Sequence, residues 1–511
     1  MSTNIERQAK VLQRIIRVPY LAPFLVGIAI VGNIITLVRP NYDWQEVGIA
    51  LALVMSITGV VTWFCHRIFK KPATAAFAAA LTILVLAYFN TIASVILEWL
   101  VQSPLRFMAR AAAIIVIVGA IYTLMLWYFD KKFGKRQNTM LFCNWTLVIL
   151  IIIIASDGLL PGIWERRSII NCVKNKEFDL KSTYKPDVFW IILDAYTSNE
   201  SLQKYWNYQN EDFTRKLEEL GFHFIPNSRS ISPATQESIA STLNMGMCIT
   251  TNSGKFGEYG KNSNFAKIRW SLVSQIFHEM GYDIVNLSLF RIQNTKMFYT
   301  YSGYGFNMTD RLTHNSLLGY LFNIREKHKR KGKSPWALND EILDKISNHL
   351  NEARTRPVFV YAHVMSPHPP YVYNSSSTIN SSISSFPDKW KYLDQLIYTN
   401  KRVVETLEVL KRRKGAPPVI IIQGDHGSRV LALKDQSEDE NTSIINAMYF
   451  PNASPSWFWN GMHAADTFRL VFNKCFGANY AYLSRRPSII ETNRVARAGE
   501  AYTKIEAEKK N

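Results

Sequence analysis

Four short stretches of the 511-residue chain carry chemistry-bearing side chains at the ends of apolar runs or at a helix start. Asp194 follows Ile191-Ile192-Leu193, and His363 follows Phe359-Val360-Tyr361-Ala362 with His368 close behind. Asp425-His426-Gly427 follows Ile420-Ile421-Ile422-Gln423-Gly424. The fourth stretch, Ser232-Pro233-Ala234-Thr235-Gln236-Glu237-Ser238, reads as the start of a helix with a hydroxyl near its first turn. Two carboxylates and an imidazole on adjacent strand ends suit one divalent cation, Zn²⁺ or Mn²⁺. A hydroxyl beside the free N–H groups and positive dipole end of a helix suits attack on an oxyanion such as a phosphate. Each residue also has an ordinary reading. A strand-terminal Asp forms turns, Thr235 or Ser232 caps a helix, and Arg429 is a solvated loop arginine.

Such side chains need a scaffold that brings strand ends together. Val188 to Leu193, Val358 to His363 and Val419 to Ile422 are continuous β-branched or aromatic runs, separated by amphipathic stretches such as Phe213 to Leu220 and Asp394 to Lys411. This alternation predicts an α/β domain with a mainly parallel sheet flanked by helices, whose ligands bind at the carboxyl ends of the strands. Asn374 to Ser385, rich in Ser and Asn, reads as a loop.

In this order the motifs resemble the alkaline phosphatase/sulfatase superfamily. The likeness is closest to its membrane-anchored branch of lipoteichoic acid synthases and lipid A phosphoethanolamine transferases, and it runs from about Pro186 to Tyr482. The resemblance implies an alkaline-phosphatase-like fold with a catalytic metal held by Asp194, Thr235, Asp425 and His426. It also implies a histidine on the substrate or a second metal, which His368 fits best and His363 next. Two departures matter. No Cys-x-Pro-x-Arg or serine variant is present, which disfavours sulfate-ester hydrolysis, and no histidine lies between Arg429 and Asn446 to complete a second metal site. His463 lies farther along and is expected to have an ordinary surface role.

The first third of the chain is unlike the rest. Apolar runs at Leu21 to Val38, Val47 to Phe64, Ala73 to Leu97, Ala111 to Phe129 and Thr139 to Ala155 contain no Lys, Arg, Asp or Glu, and five membrane spans are expected. Eleven cations flank these runs on one side (Arg7, Lys10, Arg14, Arg17, Arg67, Lys70, Lys71, Lys131, Lys132, Lys135 and Arg136), against Arg39, Arg106 and Arg110 on the other. The asymmetry puts the amino terminus inside and everything after Ala155 outside the cytoplasmic membrane.

The expected organisation is a five-span domain over 1–156 and an interfacial connector over 157–185. An extracytoplasmic catalytic domain over 186–485 and a charged tail over 486–511 follow.

A net charge of +19 would suit nucleic acid, but much of it borders the apolar runs, so a membrane protein without nucleic acid is expected. An apolar content of 48% and only five cysteines exclude disorder and a disulfide-dense miniprotein, and the absence of CxxC spacing argues against a cysteine metal site.

The expected function is metal-dependent transfer of a substituted phosphate. The donor is a membrane phospholipid, the acceptor an envelope glycan or glycolipid, and the path runs through a phosphothreonine on Thr235. His368 or His363 moves protons, and Arg429 and His368 meet the substrate. The alternatives are a membrane-anchored phosphoester hydrolase on the same scaffold and a non-catalytic binding module. The expected location is a bacterial cytoplasmic (inner) membrane.

Overall fold

The structure, a computed structural model, describes residues 18–38, 44–100, 107–133, 137–158, 185–246, 261–299, 308–321, 337–348, 354–384, 388–412, 415–431 and 438–483. The expected connector lies almost wholly outside these residues, as do the charged tail, Cys172, Cys248 and most of the cations flanking the apolar runs. The chain forms two compact units, one of Met1–Trp164 with Ser302–Lys331, the other of Glu165–Tyr301 with Gly332–Asn511.

The first unit is helical: α1 (Leu21–Val38), α2 (Trp44–Ile68), α3 (Pro72–Leu100), α4 (Phe107–Lys132) and α5 (Gln137–Gly158). Three helices, Trp44–Ile68, Pro72–Leu97 and Ala113–Lys132, are long and apolar enough to cross a membrane; Leu21–Thr36 and Leu141–Ser156 are shorter apolar helices. Residues at helical spacing, Val26, Ile30 and Ile34 on α1 and Val47, Ala50 and Val54 on α2, meet Ile83 of α3 in one cluster. Outward-facing side chains stay apolar, Val116, Leu124 and Trp127 on α4 for example. Helix α3 breaks helical geometry at Tyr88, whose hydroxyl accepts from Asn33 Nδ2 at 2.8 Å.

The second unit is built on a seven-stranded sheet. Its strands are β1 (Val188–Leu193), β2 (His223–Phe224), β3 (Asp283–Leu287), β4 (Thr295–Tyr299), β5 (Val358–Val364), β8 (Val419–Gly424) and β9 (Asn446–Tyr449), in the order β2-β9-β8-β1-β5-β3-β4. Strands β4, β3, β5, β1 and β8 run parallel. The sheet is nevertheless mixed, because β9 pairs antiparallel with both β8 and β2. Between β8 and β9 the chain passes through the Asp-His-Gly segment and the short helix Glu438–Thr442 before it pairs antiparallel. Part of the expected loop Asn374 to Ser385 is also a strand, β7 (Ile379–Ser384), paired antiparallel with β6 (Tyr371–Tyr373).

Helices cover both faces. On one, Phe277 of the helix Leu272–Glu279 stacks 4.4 Å from Phe359, Phe468 of the helix Thr467–Phe476 packs on Trp190 and Phe359, and Phe472 packs on Phe277. Each such ring contributes about 1.5–3 kcal/mol through burial. On the other, the helix Lys389–Lys411 buries Tyr392, Leu396, Val403 and Leu407. Six consecutive buried residues in each of β1 and β8 follow from this double cover and account for their unbroken apolar sequences.

Candidate active site

The three central strands end in register. Leu193 of β1 lies opposite Val364 of β5 on one side and Gly424 of β8 on the other, so Asp194, His363 and Asp425 meet at one edge. Atoms of these three lie within 4.8 Å of one another, and all are buried.

In each of three side chains one polar atom is tied down and another is left open. Asp194 Oδ2 accepts from His363 Nε2 at 3.1 Å, while Oδ1 has no hydrogen-bond partner. Asp425 Oδ1 accepts two backbone N–H groups, from Ala195 and His426, both at 2.9 Å, while Oδ2 has none. His426 Nδ1 lies 2.7 Å from the Gly427 carbonyl, which can only accept, so the proton sits on Nδ1 and Nε2 presents a lone pair. That Nε2 lies 3.5 Å from Asp194 Oδ1 and 3.4 Å from Asp425 Oδ2. Two carboxylate oxygens without hydrogen-bond partners among the described residues and one imidazole lone pair therefore converge in a buried place, an arrangement costly unless a cation joins it. The orphaned oxygens and the imidazole fit one divalent metal of the zinc or manganese type.

Burial opposes charge on Asp194, but the positive potential of His368, His363 and His426 outweighs it and holds the carboxyl well below its usual range. Burial pushes His426 below the ordinary imidazole value, against the pull of Asp425 and Asp194, and the charge of Arg429 adds to the lowering. A neutral imidazole is the form that can ligate.

Thr235 opens the helix Thr235–Leu243, but the cap position is Ala234, and no side chain caps that end. Ser232 Oγ instead receives the Ala234 N–H and donates to Glu237 Oε2. The Thr235 hydroxyl is thus spared from capping and lies 3.2 Å from His426 Nε2. It is half-buried, at the accessible side of the cluster.

His363 and His368 separate by environment. His363 is fully buried, held between the Tyr361 hydroxyl at 3.0 Å and Asp194. Both of its ring nitrogens thus face protein groups, Nε2 the Asp194 carboxylate. His368 is half-buried, its backbone N–H donates to the Asp194 carbonyl at 3.1 Å, and its Nδ1 bonds the Pro369 carbonyl. Its Nε2 is left to act. Arg429 sits at φ +56° in the turn after Gly427 and carries no hydrogen bond among the described residues, so its guanidinium is available to an anion. His463 is no surface residue. It is 9% exposed and its Nδ1 accepts from Ala465 N, capping a short 3₁₀ turn.

Two glycines allow this packing. A Cβ at Gly427 would run into the Glu440 carbonyl, and one at Gly424 into the Tyr196 carbonyl. Ser428 donates N–H and hydroxyl to the buried Glu440 Oε1, at 2.9 and 2.6 Å. Sequence reasoning missed Gln395. Its amide donates to the carbonyls of Pro367, His368 and Pro370 and accepts from Val372 N at 2.7 Å, stapling the loop that carries His368. A glutamine within an amphipathic helix gives no signal of this.

Comparison with known proteins adds the following. The family described as Sulfatase matches residues 186–463. Undecaprenyl-diphosphatase 1 of Pseudoalteromonas translucida (strain TAC 125) is 32% identical over 73 residues, 14% of this chain and 27% of that protein; the chain thus matches about a quarter of that relative's length. The C-terminal periplasmic domain of EcEptC from Escherichia coli, solved in complex with Zn, has a TM-score of 0.40 and 13% identity over 59% of this chain and 85% of that one. The C-terminal periplasmic domain of phosphoethanolamine transferase EptC from Campylobacter jejuni has a TM-score of 0.32 and 14% identity, covering 52% and 80%. The soluble domain of lipooligosaccharide phosphoethanolamine transferase A from Neisseria meningitidis has a TM-score of 0.36 and 13% identity, covering 57% and 89%.

Proposed function

The chain belongs to the sulfatase family, within the alkaline phosphatase/sulfatase superfamily, and we propose that it transfers a substituted phosphate group, such as phosphoglycerol or phosphoethanolamine, from a membrane phospholipid to an envelope glycan or glycolipid. The observation that carries this reading is the Thr235 hydroxyl, unused by its own helix and set 3.2 Å from His426 Nε2 at the edge of the acceptor cluster. Lack of a formylglycine motif at this place argues against sulfate esters, and a threonine nucleophile suits phosphorus.

Asp194, Asp425, His426 and Thr235 would hold the divalent cation, which when bound supplies charge stabilisation for phosphoryl oxygens and a lowered hydroxyl pKa. Thr235 Oγ1 attacks phosphorus, forming the Thr–O–P bond while the bond from phosphorus to the diacylglycerol oxygen breaks. The leaving oxygen takes up the proton lost by Thr235, with His368 Nε2 as carrier. An acceptor hydroxyl then attacks the phosphothreonine diester and gives its proton to His368, which passes it to Oγ1 as the P–Oγ1 bond breaks, restoring the Thr235 hydroxyl and the neutral imidazole. Arg429 meets a phosphoryl oxygen through its free guanidinium. His363 holds Asp194 in place throughout.

In this reading the five apolar helices all cross a bacterial cytoplasmic membrane, the amino terminus is inside, and the catalytic unit faces outward, where donor and acceptor are found. Mass spectrometry of the intact protein incubated with phospholipid tests it. An adduct on Thr235 with the mass of the phosphorylated head group, discharged by an envelope glycan or glycolipid fraction, is expected. Discharge to water at an unchanged rate would assign the chain to the phosphoester hydrolases instead.

A further inference from the structure

Residues 308–321 lie in sequence between β4 and the helix Ala337–Asn348, both in the second unit, yet they cluster with the helices of the first. The helix Met308–Asn315 buries Met308 completely in the cluster that includes Ile30, Ile34, Val54 and Ile83, with Leu312 packed against it. After a bend at Ser316, residues 317–321 are helical again. There Leu317 and Tyr320 join Phe89, Ala93, Ile114 and Val118, with the Tyr320 ring 5.0 Å from Phe89.

Several polar groups at the bend between the two short helices are paired. Ser316 Oγ donates to the Thr313 carbonyl at 2.7 Å, Gly319 N donates to Ser316 Oγ at 3.3 Å, and Tyr320 N to the Ser316 carbonyl at 3.0 Å. Asn90 Nδ2, from α3, donates to the carbonyl of His314 at 2.9 Å. Gly319 is required, because a Cβ there would strike the carbonyls of Thr313 and His314. Irregular backbone is tolerated at membrane depth only with such internal satisfaction.

Its place among the helices is equally specific. Phe89 and Ala93 lie in the second half of α3, and Ile114 and Val118 in the first half of α4, toward the cation-poor loop between them and away from Lys71, Lys131 and Lys132. Leu318 and Leu321 remain 71% and 47% exposed, and so do Val95, Ile115 and Val116, the neighbours in sequence of its packing partners. Single exposed leucines mean little, but these continue the apolar outer faces of α3 and α4.

We infer that residues 308–321 are a membrane-seated element, held on the helices by Met308, Leu312, Leu317 and Tyr320, with Leu318 and Leu321 contacting the acyl chains of the extracytoplasmic leaflet. The chain therefore enters the bilayer a further time from within the sequence of its polar unit. This inference needs membrane-crossing helices but not the phosphotransfer chemistry, and its test reads no activity.

The test uses full-length protein in phosphatidylethanolamine–phosphatidylglycerol vesicles, with the native cysteines replaced and single cysteines introduced as L318C, L321C, E211C or W127C. Glu211 is an exposed residue of the polar unit and Trp127 an exposed residue of α4. Cysteines at 318 and 321 are expected to react with a membrane-impermeant maleimide at least about 10-fold more slowly than the one at 211, as the one at 127 does. Bimane placed at 318 or 321 is expected to be quenched by lipids brominated on the acyl chain. Labelling at the rate of position 211 without quenching overturns the inference, and so does equal labelling of all four sites.

Discussion

The hydroxyl of Thr235 and Nε2 of His426, 191 residues apart in sequence, lie 3.2 Å apart. The threonine caps nothing, and the imidazole has its proton on the far nitrogen, so the hydroxyl faces a lone pair.

From this, Thr235→Ala is expected to change the melting temperature little, a loss below about 0.5 kcal/mol, because no cap bond is removed. Turnover is expected to fall by several orders of magnitude. Parallel calorimetry and phospholipid turnover check it. Comparable losses of stability and activity would return Thr235 to a structural role.

One divalent cation per chain is expected in the purified protein. Asp425→Ala or His426→Ala should abolish stoichiometric binding in elemental analysis, whereas His363→Ala, which frees Asp194 to rotate, should weaken affinity about 10- to 100-fold. Chelation should lower thermal stability, by about 2.7 kcal/mol relative to metal at 100 times Kd.

The metal-free protein should lose stability on acidification. His426 has a folded pKa below its ordinary 6.5, so the unfolded chain takes up the proton first; its contribution is complete above pH 6.5 and is lost as pH falls toward the folded value. Asp194, depressed below 3.8, adds a second loss of the same sign at lower pH. Melting curves from pH 7.5 to 5 should show a slope that His426→Gln flattens; an unchanged slope would mean the imidazole is not buried neutral.

Gln395 positions His368 rather than touching substrate. Gln395→Leu removes the amide that bonds three carbonyls of the His368 loop, and should cost about 1–3 kcal/mol of stability. It should also lower kcat about 10-fold or more with metal content unchanged. Gln395→Glu, whose carboxylate keeps the Val372 N–H bond but cannot donate to the three carbonyls, should also disturb the His368-dependent step of the pH–rate profile at temperatures where the fold is intact, which separates positioning from simple destabilisation. A kcat that follows the folded fraction alone counts against it.

Topology offers an independent check. A reporter active only outside the cytoplasm is expected to work when fused after Asn511, and one active only inside when fused before Arg7, following the loop-charge asymmetry. The reverse pattern would place the acceptor cluster on the wrong side for an envelope acceptor.

Much of this was legible because it is local. Continuous β-branched runs at 188–193, 358–363 and 419–422 mark strands covered on both faces, and polar residues at their ends mark the ligand edge, whatever the rest of the chain does. The same holds for the apolar runs of the first third, which form helices, three of them long and apolar enough to cross a membrane. What the sequence could not carry depends on register and on which lone pair is already used. The open oxygen of Asp425 follows from Ala195, at φ +63° after β1, aiming its N–H at the other oxygen. His363 and His368 look alike as letters, and only the bond from His363 to Asp194 and the burial of one ring tell their surroundings apart. The short apolar stretch Leu317 to Leu321 is too brief to read as a membrane element, and the inference that it is one rests on tertiary packing, which sets Leu317 and Tyr320 among Phe89, Ala93, Ile114 and Val118.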